Sequence, residues 1–203
     1  MSQLALPLSL SDSDTARTIV VGHGNRSVAE ALASPDSWPF RTAILMGPPR
    51  SGKSLLARWF EAQGSGETID GANRADETSI FHCWNRAQES GTPLLLVVDG
   101  ERWDISLPDL KSRMGAAMQL EIAAPDDAMA ADLMLAHAAQ RRLALGEGAP
   151  AYLVPRMERS YTAIERVVGE IDRLSLERKV PATLSVWRDA LDAVQGPEQG
   201  RLL

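Results

Sequence analysis

The chain has a single cysteine, Cys83, among its 203 residues. No disulfide can close within it, so the fold must rest on packing. The position of Cys83 inside the helical-looking run SIFHCWNRAQ predicts a buried structural thiol in a reducing compartment, a cytoplasmic one. Equally absent is any apolar run near the roughly 18 residues that a helical bilayer span requires, so no membrane partner is expected. The N-terminus also lacks the basic flank and long apolar core of an export signal. Positive charge is in deficit: 21 Lys and Arg against 27 Asp and Glu give a formal net charge of -6. A field of that sign repels nucleic acid, so direct DNA binding is not the default, although a local basic face stays open. His23, His82 and His137 have no partners at metal-ligand spacing. No internal repeat is present.

What is there is a globular composition, 44% hydrophobic and 24% charged, long enough for one core with a smaller satellite. After a polar stretch SLSDSDTA comes the β-branched TIVV with a glycine turn, then SVAEALAS, a helix for which Ser27 is the expected cap. SPDSWPF reads as a Pro-rich loop. RTAILMG gives a strand, GPPRSGKS a loop and SLLARWFEAQ a helix; ETID is a very short strand, and the run from Glu77 a helix capped by Asp76. TPLLLVVDG predicts a fully buried strand, SLPDLKSRMG a short helix and AAMQLEIAAP a last strand. Strands alternating with helices imply a parallel α/β sheet. From PDDAMAADLM onward only helices are predicted, so the pattern changes near Ala124. Residues 1–14 form a tail, 15–124 an α/β domain and 125–203 a helical domain. Trp59, Trp84, Trp103 and Trp187 sit in apolar contexts and are expected to pack in cores.

The segment Gly47, Pro48, Pro49, Arg50, Ser51, Gly52, Lys53, Ser54 satisfies the phosphate-loop pattern G-x-x-x-x-G-K-[ST], and it lies between a strand and a helix as that motif requires. Glycines let backbone N–H groups curl round phosphate oxygens, Lys53 reaches the terminal phosphates and Ser54 can hold magnesium. ADP or ATP with magnesium is the implied cofactor. A magnesium-binding aspartate should end a neighbouring strand, and Asp70 and Asp99 both qualify. Gly71 and Gly100 stand where a second acid would polarise water, so binding is expected over brisk turnover.

IVVGHGN with the alanine-rich helix after it, the phosphate loop, SLPDLKSRM, LEIAAPDD and AIERVVGEIDRLSLERK together resemble the AAA+ ATPase domain of the bacterial replication initiator DnaA, from about Thr15 to Val194. The initiator's DNA-binding domain has no counterpart after SVWRDALDAV, and in this the chain is similar to the short DnaA homologues of the Hda group. The resemblance implies a P-loop AAA+ fold with a trimmed parallel sheet flanked by helices, and a C-terminal all-α lid. It makes Asp70 the magnesium aspartate and Arg113 an arginine finger acting across a subunit boundary. It puts the lid's sensor arginine at Glu165, with Arg166 beside it. It also reads Gln3, Leu4, Leu6, Pro7 and Leu8 as a clamp-binding peptide, a hook for the DNA polymerase sliding clamp.

The function implied is negative regulation of replication initiation. The partners would be DnaA and the clamp, with DNA reached mainly through the clamp and room for a homodimer. Two rivals remain at this stage. One is an autonomous P-loop ATPase acting on DNA, with Asp76 or Glu77 as the catalytic carboxylate. The other is an adaptor between clamp and DnaA that stimulates nothing.

Overall fold

The computed structural model describes residues 19–100 and 102–196. Within it the chain forms two compact units, one over Gly24–Ala123 and the other over 124–196 together with 19–23.

The first unit opens with α1, Arg26–Leu32. Ser27 does not cap this helix but lies within its first turn. Asn25 holds the cap position, at φ -136° and ψ 7°, and makes no side-chain cap bond. The loop after α1 contains two single-turn 3-10 helices, Pro35–Ser37 and Pro39–Arg41. Between them Trp38 is buried at 3% exposure, stacks on Phe60 at 5.3 Å and donates its indole N–H to the Ala31 carbonyl. The Pro-rich loop is thus pinned to the core by a tryptophan.

The strands and helices then alternate: β1 (Thr42–Met46), α2 (Lys53–Ala62), β2 (Glu67–Asp70), α3 (Glu77–Ser90), β3 (Leu94–Val97), α4 (Pro108–Ala116) and β4 (Met118–Glu121). The four strands pair in parallel in the order β2-β3-β1-β4. β3 is flanked by strands on both sides and covered on both faces, which is why all four of its residues are apolar and buried. Side chains alternate across the sheet. Ile44, Leu94 and Leu96 share a face with Ile80 and Trp84 of α3 and Leu110 and Met114 of α4. Ala43, Leu45, Leu95 and Val97 point the other way, toward the side where α1 and α2 meet the sheet. Edge strand β2 is only half-buried. Because every strand is parallel, the loops after β1, β2 and β3 leave from the same end of the sheet.

Asp76 caps α3, accepting from the Ser79 N–H at 2.8 Å. Cys83 on α3 departs from the sequence expectation. It is half-buried rather than enclosed, and Arg86 donates to its sulfur at 3.3 Å.

The second unit is helical: α5 (Asp127–Gln140), α6 (Ala149–Leu153), α7 (Tyr161–Arg178) and α8 (Leu184–Gln195). Asp126 and Ser160 cap α5 and α7 through the N–H groups of Met129 and Ala163. Ile164, Val167, Val168, Ile171 and Leu174 recur at helical spacing along α7 and form the centre of a core with Met134, Leu153, Val186 and Leu191. No helix among the described residues is long and apolar enough to cross a membrane.

Candidate functional site

The loop between β1 and α2 is shaped by two glycines and one strained residue. Gly47 has φ +149°, and a Cβ there would stand 2.9 Å from Cβ of Ile122 and 3.0 Å from its carbonyl oxygen. Only glycine fits against the end of β4. Gly52, at φ +88°, precedes the first turn of α2, and no side chain caps that helix. Arg50 is held at φ +63°, a left-handed conformation that costs a non-glycine residue about 1 kcal/mol or more. Such strain persists where surrounding structure over-determines it, commonly at ligand clamps.

Inside this loop Lys53 is 7% exposed. Its ammonium donates to the carbonyls of Gly47 at 2.7 Å and Pro48 at 2.9 Å. Burial pushes the ammonium below the ordinary lysine value, while the carboxylates of Asp99 and then Asp70 pull it back up. Ser51 is 6% exposed and its hydroxyl has no hydrogen-bond partner. A buried orphan hydroxyl is costly. A desolvated cation, an unpartnered donor and an uncapped helix N-terminus therefore meet in one loop, and an anion with several acceptor oxygens fits all three.

Asp70 ends β2, opposite Val97 in the register. Asp99 follows Val98, and both carboxylates are exposed at the same end of the sheet as the loop. Asp99 pairs with Arg74 at 2.7 Å. Ser54, on the first turn of α2, is exposed, so its hydroxyl and the Asp70 carboxylate are oxygen donors of the kind magnesium takes alongside phosphate oxygens. The other two acids singled out in the sequence have structural partners. Asp76 caps α3, and that hydrogen bonding holds its carboxyl below the usual carboxylate range. Glu77 accepts the N–H groups of Ser106 at 2.9 Å and Leu107 at 2.6 Å, anchoring the segment that enters α4.

Arg113, on α4, is half-buried. Its guanidinium lies 4.6 Å from the ring centroid of Phe81 and 4.2 Å from that of Trp84, and it donates to Asn85 Oδ1 at 3.1 Å. All three partners project from α3. Arg166 is exposed on α7 of the helical unit. Gln3, Leu4, Leu6, Pro7 and Leu8 lie outside the described residues. The structure thus brings Gly47–Ser54, Asp70 and Asp99 to one end of the sheet and places Arg113 on the α3 surface. Sequence reasoning missed Asn73, whose amide grips the Asp99 backbone; an Asn two residues after a glycine at a strand end was the available signal.

Several solved structures are similar to this chain. Domain III of the replication initiation protein DnaA from Thermotoga maritima superposes with a TM-score of 0.71 at 14% identity, over 88% of this chain and 95% of that one. A replication initiator DnaA bound to AMPPCP and single-stranded DNA gives 0.60 at 16% identity, over 79% of this chain and 66% of that one. The Holliday junction branch migration motor RuvB from Thermotoga maritima gives 0.59 at 15% identity, over 85% and 70%. No family model matches the chain. At these identities the likeness concerns the fold, and the fold is that of the AAA+ ATPase domains of DnaA and RuvB.

Proposed function

We propose that this protein is a nucleotide-binding regulator of DNA replication initiation that switches DnaA off. The observation carrying the nucleotide part is the loop itself, where Lys53 is buried and the buried Ser51 hydroxyl is unpartnered at an uncapped helix start. Gly47, Pro48, Pro49, Arg50, Ser51 and Gly52 would wrap the phosphates of ADP or ATP, with Lys53 neutralising the terminal ones. Ser54 and Asp70 would hold magnesium, which screens phosphate charge when bound. For Arg166 a nucleotide role rests on the resemblance alone.

The regulatory part rests on resemblance and on Arg113. Gln3, Leu4, Leu6, Pro7 and Leu8 attach the chain to the DNA-loaded sliding clamp as an extended peptide with apolar anchors. Short-linker tethering of this kind raises local concentration to about millimolar. Arg113 then leaves its rings on α3 and sets a fixed positive charge against ATP held by DnaA. Each cation-π contact at a part-exposed site is worth about 0.5–1 kcal/mol, so withdrawal is within reach of binding energy. Autonomous ATP turnover is the weaker reading, because Asp76 and Glu77 are engaged as a cap and an anchor. A non-stimulating adaptor is favoured by one observation, the docking of Arg113 on its own α3.

Titration with magnesium-ADP tests the nucleotide part. The intact protein is expected to bind, and Lys53→Ala to bind at least tenfold more weakly. Equal affinity would remove the loop from the account.

A further inference from the structure

The turn between β2 and α3 holds a device that the phosphate loop alone does not explain. Gly71, at φ +73°, leads the chain out of β2 in the left-handed region, and a single 3-10 turn, Ala72–Arg74, follows. That turn lays Asn73 beside the exit of β3. One side-chain amide there makes two bonds to one residue: Nδ2 donates to the Asp99 carbonyl at 2.9 Å, and Oδ1 accepts the Asp99 N–H at 3.0 Å. An amide used this way imitates a backbone bridge where no strand is available. The following residue, Gly100, forms an isolated antiparallel bridge with Gly47. The Gly47 carbonyl in turn receives the Lys53 ammonium.

We propose that Asn73 is a positioning residue for the phosphate loop, fixing the Asp99–Gly100 backbone that forms one wall behind Gly47. Ile122 forms the other wall, since it fills the space a Gly47 side chain would need. With both walls in place the root of the loop has one position, and the carbonyl that orients Lys53 is fixed with it. The neighbouring Arg74–Asp99 ion pair does not do this job, because it engages the Asp99 side-chain carboxylate and not the backbone. The Asn73 amide is bonded to the Asp99 backbone, so its role is to position and not to bind. The inference rests on the nucleotide reading of the loop.

The test uses the full chain, magnesium-ADP titration and amide hydrogen exchange on wild type, Lys53→Ala, Asn73→Ala and Asn73→Gln. Asn73→Ala is expected to bind ADP about tenfold more weakly. Its amide exchange should rise across Gly47–Ser54 while the Val98 N–H to Leu45 bond stays protected, and Asn73→Gln should recover affinity by restoring an amide. Wild-type affinity in Asn73→Ala overturns the inference. So does a loss that comes with faster exchange throughout the α/β unit and no recovery in Asn73→Gln, since that marks general destabilisation. If wild type and Lys53→Ala both fail to bind ADP, the nucleotide reading falls and takes this inference with it.

Discussion

Ser51 is under two opposing demands. Its hydroxyl is buried without a partner, which costs the fold about 1–3 kcal/mol, and on the proposed nucleotide reading a phosphate oxygen would supply the missing acceptor. Ser51→Ala should therefore raise the melting temperature of nucleotide-free protein, by about 2–4 °C for each kcal/mol recovered. The same change should shrink the additional rise produced by saturating ADP. Differential scanning calorimetry with and without ADP reads both, and a fall in the nucleotide-free melting temperature would contradict this account of Ser51. Gly71 shows the same logic from the other side. Its left-handed φ of +73° would strain any side chain there, so an acid directly after Asp70 would carry a backbone cost. The motif and both aspartates were legible as residue types at fixed spacing. The grip of Asn73 on Asp99 was not, because it depends on how a glycine turn in one loop meets a loop 26 residues away.

Among the elements, α3 carries an unusual share of the site's support. Asp76 starts it, Glu77 holds the entry to α4, and Phe81, Trp84 and Asn85 receive Arg113. Glu77→Ala leaves the Ser106 and Leu107 N–H groups without their carboxylate, so hydrogen exchange should speed up at those two amides; unchanged exchange would show that the anchor is dispensable. Asp76 makes a pH prediction. Its folded carboxyl titrates below the ordinary value near 3.9 because the Ser79 N–H and hydroxyl stabilise the anion. Its contribution to stability is thus present above that value and lost as pH falls through the lower folded one. Asp76→Asn should flatten the acid end of the stability profile, and urea melts between pH 2 and 5 check it. Period-2 and helical patterns made the alternating elements readable. They could not show that Asn25 rather than Ser27 would hold the start of α1, since both are good cap residues and the choice is made by how the chain enters the helix. Nor could they show that Trp38 would anchor a Pro-rich loop, because its partner Phe60 lies on α2 and is reached only through the tertiary fold.

For the molecule as a whole, a net charge of -6 opposes direct DNA binding, which the proposed clamp-borne function does not require. On the proposed function, the protein promotes hydrolysis of ATP on DnaA from a position on the clamp. The most direct test follows ATP bound to DnaA in the presence of DNA-loaded clamp and this protein. Wild type should convert it to ADP several-fold faster than DnaA does alone, whereas Arg113→Ala and a chain lacking residues 1–8 should each lose the acceleration. Acceleration that survives in Arg113→Ala, or no acceleration by the wild type, would contradict the account.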